Sequence, residues 1–139
     1  MEPEFAKQIE TSGSVQEVIE KVRAALQKEG FGIISFVNVS EKIEERIGKQ
    51  MDPYVILGAC NPKLSYEAIQ SDDRIGILLP CNVVITQHKP GKCKVLFTNP
   101  VPQMSGEPFR DNAVIQQVAL QASEGLQKAA EDLQMGEMY

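Results

Sequence analysis

Residues 52–88 read DPYVILGACNPKLSYEAIQSDDRIGILLPCNVVITQH, and this stretch decides the fold. Its first part, 54–60, is a near-continuous apolar run, the pattern of a strand buried on at least one face. Asn61-Pro62 follows. Asparagine is a favoured helix N-cap, and proline suits the first helical position, where its missing N–H would be unpaired anyway. The spacing predicts a helix over KLSYEAIQ with Leu64, Ala68 and Ile69 inward, ending near Asp72. Residues 75–88 then read as one long strand interrupted by Pro80. A proline removes a ladder donor, so it belongs at an edge or a bulge.

Toward the C-terminus, Lys89-Pro90-Gly91-Lys92 is a turn and 93–99 (CKVLFTN) returns as the second arm of a hairpin. The segment 100–110 reads as a loop. Asp111 is expected to start the longest helix, in which Ile115, Val118, Ala122, Leu126, Ala129 and Leu133 form one apolar stripe. About 23 helical residues would span roughly 35 Å, enough to lie across a sheet.

Toward the N-terminus, weak alternation over 5–11 predicts a first strand. Ser14-Val15-Gln16-Glu17 is a capping box that opens a helix with Val15, Val18, Ile19, Val22, Ala25 and Leu26 on one face. Gly30 ends it as a left-handed cap. Residues 31–39 (FGIISFVNV) are branched and aromatic, the composition of a strand. Ser40 then caps a short, charged surface helix that Gly48 ends. The order predicts an α+β fold. Its sheet is about five-stranded and mainly antiparallel, with a long C-terminal helix and shorter helices packed mainly on one face. One domain covers residues 1–139, and a partly apolar second sheet face favours a homodimer.

Composition removes several function classes. The 139 residues carry a net charge of -5 with scattered Lys and Arg, which disfavours nucleic acid as a partner. No apolar run approaches the roughly 20 residues of a membrane span. The polar, acidic MEPEFAKQIE is not a secretory leader. Three cysteines cannot all pair within one chain. A reducing, cytoplasmic setting with free thiols follows.

The chemistry-bearing residues are two Cys-Asn pairs, Cys60-Asn61 and Cys81-Asn82. Cys60 stands just before a helix N-terminus, where free N–H groups and the helix dipole favour an anion or a thiolate. It also suits a small buried hydrophobe closing an apolar strand. Cys81 follows the Pro80 break, where a bulge re-aims a side chain or merely ends pairing. His88 lies about 23 Å along a regular strand from Cys81, too far to share a metal with it. Opposite Cys93 on the hairpin it makes two ligands, fewer than a zinc site needs. Neither a metal nor a cofactor is therefore expected. There is no Cys-x-x-Cys pair, phosphate loop or nucleophile elbow, and Asp73-Arg74 reads as a surface turn.

In the order GFGIIS, PYVILGACNP, DDRIGILLPCNVVI, hairpin and long final helix, the chain resembles the domain-of-unknown-function 302 family over nearly its whole length. Asn61-Pro62 and Leu79-Pro80 match that family's common pattern, while Cys60 and Cys81 mark a narrower, cysteine-containing subgroup. The resemblance implies a TATA-binding-protein-like arrangement of a curved antiparallel sheet with helices, forming homodimers. Fold does not carry function. Three functions are open at this level. The first is a binding or sensor module whose pocket, lined by Cys60, Asn61, Cys81 and Asn82, takes a small anionic or thiol-reactive ligand. The second is an enzyme using Cys60 as nucleophile or as half of a redox pair with Cys81. The third is a structural dimerisation domain without ligand.

Overall fold

The structure, a computed structural model, describes residues 4–138. Its five strands are β1 (Ala6–Ser12), β2 (Gly32–Asn38), β3 (Tyr54–Cys60), β4 (Cys81–Lys89) and β5 (Lys92–Thr98). They form one sheet in the order β1-β5-β4-β3-β2, with every neighbouring pair antiparallel. The helices are α1 (Val15–Lys28), α2 (Val39–Ile47), α3 (Pro62–Ser71), α4 (Pro100–Gln103) and α5 (Ala113–Met138). This is the α+β architecture the element order implies.

Local chemistry explains the helix ends. Ser14 Oγ accepts the Glu17 N–H at 3.1 Å, and Glu17 Oε1 accepts the Ser14 N–H at 3.1 Å, completing the capping box. At the far end of α1, Gly30 adopts φ +82°. The Phe31 N–H reaches Leu26 O and the Gly30 N–H reaches Gln27 O, so two orphan carbonyls are satisfied. Leu26 and Phe31 are both buried there, the apolar contact that accompanies such a cap.

α1 and α5 cover one face of the sheet. Val18, Val22 and Leu26 of α1 and Ile115, Val118 and Leu126 of α5 are buried with Val95, Phe97, Val83, Ile85, Val55 and Leu57 of the strands. α5 comes close because its inner positions are small. Ala119, Ala122, Ala129 and Ala130 are buried, and a Cβ on Gly125 would stand 2.8 Å from the Phe31 ring. α2 buries none of its residues, as its charged sequence implies.

Four expectations are corrected. Residues 75–78 are not strand. A 3-10 helix spans Asp73–Leu78, begun by Asp72, whose carboxylate accepts the Arg74 N–H at 3.1 Å. β4 therefore starts only at Cys81, after a cis Leu79–Pro80 bond. Asn38, not Ser40, caps α2, accepting the Glu41 N–H at 3.0 Å, while the Ser40 hydroxyl accepts the Tyr54 N–H. Asn112, not Asp111, caps α5 by accepting the Ile115 N–H at 3.0 Å. The segment 100–110 holds α4, whose first residue, Pro100, is buried.

Candidate functional site

Cys60 is the last residue of β3, and Asn61 is the N-cap of α3. Asn61 Oδ1 accepts the Leu64 N–H at 3.3 Å, and Asn61 O accepts the Ser65 N–H at 2.9 Å. Pro62 contributes no N–H. The donors left for an anion at this helix start are thus fewer than at an ordinary N-terminus, because one is missing by chemistry and one is already bonded.

The first turn of α3 places Ser65 Oγ 3.1 Å from Cys60 Sγ, where either atom can donate. Sequence reasoning missed Ser65. It stands four residues beyond the N-cap, one helical turn, so the Asn61-Pro62 signal itself locates it.

Cys81 opens β4 as the register partner of Ala59 on β3. It is 7% exposed, and burial pushes its thiol up to about 11, with the nearby Cys60 thiol adding to the effect. Cys81 is therefore held as the neutral thiol near pH 7. Cys60 is half-buried, and all three cysteines are free thiols. Cys93, also buried, donates weakly to Gly13 O at 3.6 Å, and burial raises its thiol too.

Asn61, Ser65 and Cys81 line a small cavity together with Phe31, Leu79 and Met104. Its volume is about 20 Å³, room for about one water molecule. Asn82 is not part of it. Successive strand residues point to opposite faces, so Asn82, opposite Gly58, turns away from the side that Cys81 faces. It lines a separate cleft of about 190 Å³ with Ile77, Pro80, Thr98 and Gln103. Of the four Cys-Asn residues, Asn61 and Cys81 line the small cavity, and Cys60 meets it only through its contact with Ser65. Phe31 and Met104 reach that cavity from distant parts of the chain, with no local signal to announce them.

His88 is exposed and pairs with Asp52, Nδ1 to Oδ2 at 2.8 Å. Pro90-Gly91 is the two-residue turn of the hairpin, with Lys89 opposite Lys92. Among the described residues no three His, Cys, Asp or Glu side chains gather as a metal site would require. Nor is any described helix long and apolar enough to cross a membrane.

The cap at Asn61 gives a direct test of how α3 is held. Asn61→Ala is expected to lower stability by about 1 kcal/mol, because the Leu64 N–H loses its partner. Urea denaturation of the two proteins measures the difference, and a change below about 0.3 kcal/mol would show that water replaces the cap.

A five-stranded antiparallel sheet with a thiol-bearing end, covered by α1 and the long α5, defines a small α+β domain. The family model described as Domain of unknown function DUF302 matches residues 7–133, and the chain belongs to that family. A solved structure agrees. The chain is similar to an uncharacterized conserved DUF302 protein from Bacillus stearothermophilus, known from its crystal structure. The two share 25% identity with a TM-score of 0.80, over 93% of this chain and 98% of that one. No curated protein matches.

Proposed function

We propose that this protein is a homodimeric, cytoplasmic sensor or binding module in which Cys60 takes a small thiol-reactive ligand. The observation that carries the reading is the placement of Cys60. Cys60 is half-buried and hydrogen-bonded to Ser65, and Ser65 lines the cavity that Asn61 and Cys81 also line, although Cys60 itself does not. The half-buried setting of Cys60 beside Ser65 favours a compact reactant over a larger organic ligand. The anionic alternative is less favoured, since Pro62 and the occupied Leu64 N–H deplete the helix start of donors. A net charge of -5 opposes a nucleic-acid partner.

Modification of Cys60 breaks the Ser65 contact and crowds the first turn of α3, which gives the module a means of reporting its ligand. Brief exposure to N-ethylmaleimide at neutral pH is expected to give one adduct, mapped to Cys60 by peptide mass spectrometry. The thiol adds across the maleimide double bond, and its proton passes to the neighbouring carbon. The Cys60→Ser variant should give no rapid adduct. Faster hydrogen exchange at 62–66 in the modified protein would register the response. Equal labelling of all three cysteines, or an adduct that leaves exchange unchanged, would defeat the reading.

A further inference from the structure

Three large apolar side chains crowd one edge of the sheet. Ile34, Phe36 and Val37 are 64%, 54% and 45% exposed, and all three lie on β2. β2 is an edge strand, paired with β3 on one side and with no described strand on the other. Such an edge leaves backbone N–H and C=O groups free to pair with another strand. Proteins ordinarily blunt an edge with charge or proline. β2, GIISFVN, contains neither, and its one irregularity is the bulge at Ile34 in its pairing with β3. The opposite edge is written differently. β1 carries Lys7 and Glu10, and its exposed positions Gln8, Glu10 and Ser12 are polar.

The free backbone groups call for a strand, and charge selects which one. Two copies of a chain with net charge -5 repel at a distance, so their contact must avoid setting like charges together. β2 has no charge at all. Run antiparallel against itself, it obeys a two-fold axis and closes as a dimer. Pairing β2 with a second copy's β1 would repeat head to tail without closure and set Phe36 and Ile34 against polar side chains.

We infer that β2 is the surface through which two copies of this chain associate, by antiparallel β2–β2 pairing that joins two five-stranded sheets into one. This rests on the homodimer in the proposed function and names its surface. A seven-residue strand with three large side chains falls below the roughly 800 Å² per partner of a standard interface, so the dimer should dissociate on dilution in the micromolar range.

Sedimentation velocity of the whole chain between about 1 and 100 μM tests this, beside a variant carrying Ile34→Lys and Phe36→Lys. Wild type should shift from monomer to dimer over that range, and the variant should stay monomeric. Ile77→Lys, at a side chain 87% exposed and off the sheet, should dimerise as wild type does. Hydrogen exchange on wild type needs no variant to fold: the β2 amides should gain at least tenfold protection as the dimer forms. A wild type monomeric at 100 μM would overturn both the surface and the homodimer. A dimer that the two lysines leave intact, or that forms with β2 amides unprotected, would overturn the surface and spare the homodimer. Cys60 labelling is read separately and stands or falls by its own result.

Discussion

Gly58→Ala is expected to lower stability by about 1–3 kcal/mol, the range for forcing a methyl into filled space. Gly58 sits mid-strand in β3, fully covered, between Ser35 on β2 and the Pro80 ring that precedes β4. A Cβ there would collide with Ser35 Oγ and stand 2.7 Å from Pro80 Cγ. The serine hydroxyl can rotate away. The proline ring cannot, because its atoms are tied to the backbone that leads into β4. The strain therefore falls where β3 meets the start of β4, beside the cleft that Pro80 and Asn82 line. Adding Ser35→Ala to Gly58→Ala should recover only part of the loss. Guanidinium denaturation of wild type, single and double variants measures both effects, and a loss within 0.5 kcal/mol would mean that the junction yields freely.

The second large effect concerns Cys81. With its thiol pushed up to about 11, only about one Cys81 in a thousand is thiolate at pH 8, against roughly one in ten for a thiol at 9.0. Iodoacetamide at pH 8 should therefore alkylate Cys81 at least about a hundredfold more slowly in the folded protein than in guanidinium. Comparable rates would show that β4 opens readily. Stability carries the same signature. Below pH 9 both states keep the proton, and the stability linked to the neutral thiol is fully present. As pH rises from 9 toward 11 the unfolded chain releases the proton first, so the folded state loses stability. The loss is on the order of 2–3 kcal/mol across that window. The denaturation slope against pH should be shallower in Cys81→Ala. It should not vanish, since burial raises Cys93 in the same direction.

What could be read from the residues divides by the range of the interactions involved. α1 was legible at both ends, because its capping box and its glycine cap are made within a few residues. The run IGILLP misled, since four apolar residues in six fit a strand by composition. Asp72 decided otherwise by bonding two residues ahead, which turned the chain into a 3-10 helix. The short loop helix after β5 hid behind its prolines for a similar reason, as Asn99 caps it by accepting the Val101 N–H. In the site, Cys60 and Asn61 could be placed from the Asn-Pro signal. The departure of Asn82 was implicit in strand alternation once β4 was known to start at Cys81. Phe31 and Met104, which close the cavity, arrive through tertiary packing that no local pattern encodes.

The sheet order also sets a schedule for synthesis. Although β1 precedes the other described strands, its strand partner among them is β5 alone, and even the nearest pair, Ser12 with Lys92, is about 80 residues apart. A ribosome adding about 5–20 residues per second needs roughly 4–16 s to make that interval. Throughout it Ile9 has no ladder to enter, while β2, β3 and β4 can already assemble as they emerge. The nascent chain must therefore carry β1 unpaired until the last hairpin is complete.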